Sequence, residues 1–527
     1  MWLVVPLWLA VGVGWFVRTW YPALPGWVET ALVGRWSAAA LGLVSALIAL
    51  WVWGSVTEPG VIHDEQAYVL QAEIFSTGRW TGEAPPLPEF FEQAHVFVEP
   101  RLAAKYPPVN SLAMVPGMWL GMPGFMPLVF VGIAGGLLFV LVREHFGAAA
   151  ALLVWALWST SSVGLFWRAS FLSQNLSTAL WFFALWAFSR WRQRPSVVCF
   201  SAIAIAFGLM FLTRPFTAPA LALPIGILVL PTVRKCRPWR HISLGACILV
   251  AVALVNVLWH QKTLGDWWTS PYAEYSRQYF PFVKPGFGAD GTAPQRIPTP
   301  EIQWLGDAFI DLHRAHRPET LPSALRDRAG VLLLSLAETW RAFLIVLFVV
   351  GCATVRGPGV FAGVSFLVVL LGYLIYAHPA AWTVYYAEVF AVFFVIAVAG
   401  LIRIWKRHLG MSAVQLRAAL LLFLLVCVPG MVDDVRRAKD ARDDRSAFQR
   451  QALRLINSIP EESAIVFTRY PPDHEHHDSL TLNTPDYRTS RLWLVNDRGA
   501  DNDRLLAVTE RPAYRLHVGD WTLERLR

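Results

Sequence analysis

Charged residues are scarce in this chain. Asp, Glu, Lys and Arg make up 16% of the 527 residues, whereas hydrophobic residues make up 55%. A soluble globular protein carries about 25% charged residues. The composition therefore excludes an ordinary water-soluble enzyme and indicates a protein that crosses a membrane several times.

Cysteine is also rare, and the spacing of the cysteines fits neither a disulfide framework nor a zinc site. All five lie in or beside apolar segments: Cys199, Cys236, Cys247, Cys352 and Cys427. The sequence has no GxxxxGK[ST] motif, which disfavours an ATP-driven pump. It also has no evident internal repeat, which disfavours a secondary transporter.

The formal net charge of +8 does not indicate a nucleic-acid partner. Lys and Arg fall in short clusters between apolar segments, and that pattern sets the orientation of membrane proteins. The 26 Trp residues are typical of interfacial belts and of aromatic-lined clefts in membranes. We therefore expect membrane lipids, rather than nucleic acid, around this chain.

Apolar segments of roughly the 20 residues that cross a bilayer recur along the sequence. We expect a mostly α-helical bundle of about twelve transmembrane helices, with both termini outside. The first segment lacks a basic start and a small-residue cleavage site, so it is interpreted as a retained span rather than a signal peptide. The later spans are predicted near 36–56, 124–142, 147–166, 171–188, 196–213, 215–231, 242–260, 341–355, 358–377, 386–404 and 414–431.

Basic residues assign one set of connections to the cytoplasm. That set contains Arg143, Arg190, Arg192, Arg194, Arg234, Lys235, Arg237, Arg240, Arg356, Arg403, Lys406 and Arg407. Two long loops, at about 57–123 and about 261–340, then lie on the opposite side, which in a bacterium is the periplasm. The second loop is too long for a simple connector, and we expect it to fold over a site or to be partly disordered.

The composition becomes polar after the last span. We predict a transmembrane domain over 1–432 and a small periplasmic α/β domain over 433–527, which begins with an amphipathic helix. SAIVFTRY and RLWLVND alternate as strands do, and VTERPAYRLHVGDW predicts a further strand pair. The run DHEHHD in this domain offers His474 and His476 as metal ligands, although a solvated turn is the favoured interpretation.

An adjacent pair of acids follows the second apolar segment, in the stretch HDEQAY. Asp64 and Glu65 lie at the mouth of a span, and Tyr68 follows them. A carboxylate in this position can act as a general base that takes the proton from an acceptor hydroxyl. The alternative is a solvated acidic loop, or a cap for the helix that follows.

Positive charge returns later in the same loop, in the stretch RLAAKYPP. Arg101 and Lys105 can offset the charge of a leaving phosphate, and Tyr106 follows the lysine. The alternative is that both cations extend toward lipid headgroups. Acids and cations in one outer loop indicate a site for an anionic lipid substrate.

Other polar residues recur at the outer ends of distant spans. This set contains Arg168, Gln174, Arg214, His378, Tyr385, Tyr386 and Glu388. Residues at one membrane level can line a cleft built from several helix ends. Hydrogen bonding between helices is the alternative for each of them.

The order of these elements resembles the GT-C superfamily, membrane glycosyltransferases that use polyprenyl-phosphate sugars. The chain is similar to bacterial members grouped with protein O-mannosyltransferases and lipid A aminoarabinose transferases. The resemblance implies a catalytic acid at Asp64 with Glu65 beside it, and a phosphate contact at Lys105. Arg214 and the stretch Tyr385 to Glu388 match family-like positions. Relatives often have a histidine where this chain has Gln174.

The resemblance implies an inverting glycosyltransferase with a polyprenyl-phosphate sugar donor. The acceptor is left open among a lipid, a polysaccharide and a protein, and Arg101 or Arg214 is expected to help Lys105 bind phosphate. A divalent cation held by Asp64, Glu65 and His378 also remains open. A flippase for a lipid-linked precursor and a non-catalytic assembly protein are the alternative functions.

Overall fold

Helices form most of the computed structural model, which describes residues 4–20, 26–236, 239–289, 292–296, 299–472, 474–475, 477–481 and 483–527. The first ten helices are α1 (Val4–Trp20), α2 (Gly26–Val33), α3 (Ser37–Trp53), α4 (His63–Ser76), α5 (Val109–Trp119), α6 (Phe125–Phe146), α7 (Ala148–Ser159), α8 (Ser162–Arg168), α9 (Gln174–Gln193) and α10 (Val197–Phe211). The others are α11 (Thr217–Cys236), α12 (Trp239–Leu264), α13 (Pro271–Tyr279), α14 (Pro300–Ala315), α15 (Leu321–Leu336), α16 (Phe343–Thr354), α17 (Pro358–Gly372), α18 (Phe390–Leu409), α19 (Ala413–Asn457) and α20 (Asn502–Ala507).

Several of these helices are long and apolar enough to cross a bilayer. Within the described ranges there are five by length and composition, or up to seven if each of two bent helix pairs is one span. The helical membrane architecture is therefore confirmed, whereas the number twelve stays a prediction. The difference arises because predicted spans such as those of α3 and α10 form helices of 17 and 15 residues, shorter than the roughly 20 residues that cross the hydrocarbon.

Small residues bring the membrane helices close together. A side chain on Gly42 of α3 would lie 2.5 Å from the carbonyl oxygen of Gly132 in α6. A side chain on Gly136, one turn further along α6, would lie 2.8 Å from the carbonyl oxygen of Ala38. Such contacts between backbones replace the hydrophobic effect as the source of helix association in lipid. They place α3, which leads into the first outer loop, firmly against the bundle.

The predicted span near 147–166 is broken. α7 and α8 meet at an angle of 67°, and the break exposes the last carbonyl groups of α7. Arg341 donates to the carbonyl oxygen of Leu157 at 2.6 Å, and Arg168 donates to that of Trp158 at 2.6 Å. A helix that ends inside a protein needs such donors, because its last four carbonyls have no partner within the helix.

Both long outer loops are folded. The first loop contains α4, α5 and a short antiparallel pair, β1 (Val96–Phe97) and β2 (Ala103–Ala104). The second loop contains α13, α14 and α15. The backbone N–H of His95, in the first loop, donates to the hydroxyl oxygen of Tyr275 of α13 at 2.8 Å. The two loops are therefore in contact, whereas the expectation that the second loop folds over a site stays a prediction.

The C-terminal region forms a small sheet with the order β4-β3-β5-β6. Its strands are β3 (Ala464–Arg469), β4 (Leu492–Asn496), β5 (Ala513–His517) and β6 (Thr522–Arg525). β3 pairs in parallel with β4 and β5, and β6 pairs antiparallel with β5. Each of the three predicted stretches contains a strand, and β6, the partner of β5, lies just after the stretch predicted to hold the strand pair. The predicted boundary at 433 falls inside α19, whose 45 residues continue from the apolar bundle to the sheet.

Candidate active site

Asp64 lies in the first turn of α4 and remains accessible. The hydroxyl of Tyr106 donates to its Oδ1 at 2.5 Å, and the Nε2 atom of His95 lies 3.7 Å from its Oδ2. The side chain is 36% exposed. The carboxylate is thus oriented by Tyr106 and still open to a substrate, as a general base requires.

Lys105 is a buried cation beside this carboxylate. Its side chain is 5% exposed, and its Nζ lies 4.4 Å from the ring centre of Tyr272, 5.1 Å from that of Tyr275 and 5.3 Å from that of Tyr106. It makes no ion pair with any carboxylate of the described ranges. Burial lowers the pKa of Lys105 to about 8, although the charge of Asp64 raises it. Aromatic faces stabilise such a cation without neutralising it.

Tyrosines continue from Lys105 to the far side of the cleft. The rings of Tyr68 and Tyr106 stack with centres 4.7 Å apart. The hydroxyl oxygens of Tyr272 and Tyr376 are 3.0 Å apart, and the ring of Tyr376 lies 5.8 Å from that of Tyr385. These tyrosines come from the loops 57–123 and 261–340 and from the segment before α18. We call the set the tyrosine wall: Tyr68, Tyr106, Tyr272, Tyr376 and Tyr385. Flat rings with hydroxyl edges suit the apolar faces and hydroxyl groups of a sugar.

Arg214 lies at the far end of this tyrosine wall, where its charge is neutralised. Its Nε lies 3.1 Å from Oε1 of Glu388, and its guanidinium donates to the hydroxyls of Thr217 at 3.1 Å and Tyr373 at 3.0 Å. Ser177 donates to the same carboxylate oxygen at 2.5 Å. A phosphate would have to compete with these partners, so the contacts favour a structural role. The contact between Arg214 and the donor phosphate stays a prediction.

Glu65 points away from the cleft, into the protein. Its two carboxylate oxygens each accept a hydrogen bond of 3.2 Å from the guanidinium of Arg442. The backbone N–H groups of Phe171 and Val61 also donate to it, at 3.0 and 3.4 Å. Both charged side chains are 1% exposed. Asp64 and Glu65 are adjacent in sequence, but only Asp64 is placed to contact a substrate.

Comparison with known proteins connects this arrangement to a fold. Residues 124–259 match the family model described as dolichyl-phosphate-mannose-protein mannosyltransferase. The crystal structure of ArnT from Cupriavidus metallidurans bound to undecaprenyl phosphate is 16% identical, with a TM-score of 0.52, over 90% of this chain and 92% of that chain. The chain therefore shares its fold with this ArnT. The apo structure of the same ArnT gives 15% identity and a TM-score of 0.49 over the same shares. A comparison with curated proteins found no match.

Three further predicted site residues, Arg101, Arg168 and Gln174, have other neighbours. Arg101 is exposed and donates to the carbonyl oxygen of Lys262 at 2.7 Å, which ties the first outer loop to the end of α12. Arg168 caps α7 and lies over the ring of Trp158, 4.1 Å from its centre. Gln174 lines a small interior cavity with Arg168. For these side chains the contacts favour the structural alternative, and their predicted roles in the site stay predictions.

The segment before α18 supports the tyrosine wall from behind. The Nε2 atom of His378 lies 3.0 Å from the hydroxyl of Tyr386, and its Nδ1 donates to the carbonyl oxygen of Pro379 at 2.9 Å. The ring of Tyr385 lies 4.5 Å from the ring of His378. Tyr385 continues the wall, whereas His378 and Tyr386 are engaged with each other.

The residues proposed for a divalent cation do not fit one. Glu65 is bound by Arg442, and both ring nitrogens of His378 are occupied. Within the described ranges, no group of three or more His, Cys, Asp or Glu residues is arranged to hold a metal. The alternative site in DHEHHD includes Asp473 and His476, which lie outside the described residues.

Sequence reasoning missed His95, Tyr272, Tyr275 and Arg442. A signal existed for the two tyrosines, because they belong to the aromatic stretch GDWWTSPYAEYSRQYFPF in the second outer loop. His95 lies in the same loop as Asp64 but outside both motifs. No sequence pattern distinguished Arg442 from the many other charged residues of α19. Its partner, Glu65, is 377 positions away.

Proposed function

We propose that this chain is an inverting glycosyltransferase that moves a sugar from a polyprenyl-phosphate donor to an acceptor at the outer face of the membrane. The observation that carries the proposal is the buried ammonium of Lys105, uncompensated by a described carboxylate and adjacent to the accessible Asp64. A buried cation without an ion-pair partner is a ready site for an anion. The ArnT structure that shares the fold was solved with undecaprenyl phosphate, a ligand of this class.

The reaction needs a base and a stabilised leaving group. In the proposed step the acceptor hydroxyl oxygen attacks the anomeric carbon while Asp64 takes the hydroxyl proton. The bond between the anomeric carbon and the phosphate oxygen breaks, and its electron pair stays on the phosphate. Lys105 stabilises the added negative charge, which develops in a site with little water. A single displacement inverts the anomeric centre.

The tyrosine wall supplies the binding part of this scheme. Tyr68, Tyr106, Tyr272, Tyr376 and Tyr385 would hold the sugar between the base and the second outer loop. Tyr106 also donates to Asp64, so it orients the base at the same time. Holding reacting groups in the right geometry can supply a large part of a rate enhancement.

The proposed location is the inner membrane of a bacterium, with the cleft facing the periplasm. The positive-inside rule supports this orientation, because the basic connections are on the opposite side from the two outer loops. The proposed acceptor is a hydroxyl of a lipid, a polysaccharide or a protein. A flippase remains the second candidate by composition, although no specific contact favours it.

Reconstitution into liposomes tests the proposal. Undecaprenyl-phosphate mannose or undecaprenyl-phosphate aminoarabinose is supplied on the outer side with a mixture of membrane lipids and glycans as acceptor. We expect release of undecaprenyl phosphate and a product with the opposite anomeric configuration, read by NMR of the anomeric proton. Movement of the donor across the bilayer without breakage of the sugar–phosphate bond would instead establish a flippase.

A further inference from the structure

The buried pair of Glu65 and Arg442 joins the base-bearing turn to the C-terminal region. Arg442 lies in the polar half of α19, and it donates to both carboxylate oxygens of Glu65 at 3.2 Å. Both side chains are 1% exposed. A buried bidentate pair has a fixed geometry, because any displacement would leave a charge without a partner in a low-dielectric interior.

The start of α4 depends on contacts from outside the helix. The residue that precedes the helix is Ile62, which offers no side-chain cap. Glu65, in the first turn, instead reaches back to the segment before the helix, where its carboxylate accepts from the N–H of Val61 at 3.4 Å. The same carboxylate accepts from the N–H of Phe171 at 3.0 Å. The first turn of α4 is therefore held by a carboxylate whose own position is set by Arg442.

A second contact from the C-terminal domain holds the same turn. The Nε2 atom of Gln66 donates to the carbonyl oxygens of Gly60 and Ser479, at 3.3 Å each. Ser479 belongs to the segment between β3 and β4 and is fully buried. Asp64 thus has its two following neighbours, Glu65 and Gln66, each bonded to the C-terminal region.

We propose that Arg442 is a positioning residue for Asp64, and that the C-terminal domain serves to hold the turn that carries the base. The inference rests on the proposed glycosyltransferase function. It assigns α19 and the sheet domain a part in catalysis, without a contact to the substrate. Displacement of a reacting group by about 1 Å costs about 100-fold in rate, so loss of the pair acts on turnover rather than on donor binding.

The test compares turnover with binding in full-length variants. We expect Arg442→Gln to lower kcat by about 100-fold, with the Kd for undecaprenyl phosphate unchanged, since Lys105 is untouched. Arg442→Lys keeps the charge but can make fewer bonds, so it should recover part of the lost rate. Lys439→Gln is the matched control on the same helix. Its ion pair with Asp443 lies within α19, and its kcat should equal that of the wild type.

If Arg442→Gln fails to fold, a double substitution tests the same role. Glu65→Gln with Arg442→Gln removes both buried charges and should fold, while turnover per folded molecule stays low. Wild-type kcat in the double variant, or in Arg442→Lys and Arg442→Gln alike, would overturn the positioning role. Absence of transfer by the wild-type protein would instead contradict the proposed function, so the two failures are distinguishable.

Discussion

At the scale of single residues, the cleft depends on a lysine that is buried without losing its charge. Lys105 lies among three tyrosine rings, and the charge of Asp64 favours its protonated form. Burial disfavours the ammonium, so the pKa of Lys105 is about 8 rather than its usual value of about 10.4. Lys105 is therefore largely protonated at neutral pH and loses its charge in moderately alkaline solution.

Donor binding should follow this titration. A phosphodiester keeps its single negative charge across this range, so any pH dependence belongs to the protein. Only the protonated form of Lys105 attracts the phosphate, and that form is lost as the pH rises through about 8. We expect the Kd of the wild-type protein for the donor to be constant below that pH and to rise above it, by up to about tenfold per pH unit. Isothermal titration between pH 6.5 and 9.5 measures this.

A matched variant checks that Lys105 causes the change. Arginine keeps its charge at every pH in this range, so Lys105→Arg should remove the alkaline rise while it retains measurable affinity. Lys105→Met should bind weakly at every pH. An alkaline rise that persists in Lys105→Arg would contradict the assignment, because another group would then be responsible.

The sequence predicted the residues that share one loop, and it missed partners from elsewhere. Asp64 and Lys105 could be connected because both lie between the same two spans. The tyrosines around Lys105 come from α13, and the partner of Glu65 comes from α19. Hydropathy and charge assign each residue a side of the membrane, but they carry no information about which helices are neighbours around the bundle.

At the scale of secondary structure, two buried ion pairs join α19 to the part of the chain that precedes it. One is Glu65 with Arg442. The other is Asp434 with Arg341, which are 1% and 2% exposed. Arg341 also bonds the carbonyl oxygen of Leu157 and the hydroxyl of Thr160, at the break between α7 and α8. Asp434 therefore neutralises the cation that caps a helix end inside the protein.

Two adjacent acids of α19 allow a controlled test of this pair. Asp434→Ala leaves Arg341 buried without a counterion, and we expect the free energy of unfolding to fall by about 3–5 kcal/mol. The carboxylate of Asp433 is 58% exposed, and its ion-pair partner is Arg437 of the same helix. Asp433→Ala should cost about 1 kcal/mol or less. Unfolding in detergent micelles measures both, and equal losses would contradict the role given to Asp434.

The prediction of elements was good where the segments are regular and poor where they break. The strands of the C-terminal domain were predicted from alternation, and they form as expected. The segment near 147–166 was predicted as one span because its composition is apolar throughout. The break after Ser159 is stabilised by Arg341, which is distant in sequence. No sequence pattern near the break indicates that Arg341 stabilises it.

At the scale of the whole molecule, the proposed sugar transfer requires a fixed orientation of the protein in the membrane. The loop after α12 lies on the same side as Asp64, and its Trp268 is 86% exposed. Arg407, near the end of α18, is exposed on the side predicted to be cytoplasmic. These two positions are suited to labelling, because both side chains are exposed.

Cysteine labelling tests that orientation. In a background with the five native cysteines replaced by alanine, Trp268→Cys should react with a membrane-impermeant maleimide on intact spheroplasts. Arg407→Cys should react only after permeabilisation. The opposite pattern would place the cleft in the cytoplasm and contradict the proposed location.

The most direct measurement is sugar transfer by Asp64→Asn in liposomes. Asparagine keeps an oxygen that can accept the hydroxyl bond from Tyr106, but it cannot take a proton. If Asp64 is the general base, we expect the variant to fold and to bind undecaprenyl phosphate as the wild type does. It should transfer sugar about 10²- to 10⁴-fold more slowly. Transfer at the wild-type rate by Asp64→Asn would contradict the assignment of Asp64 as the base.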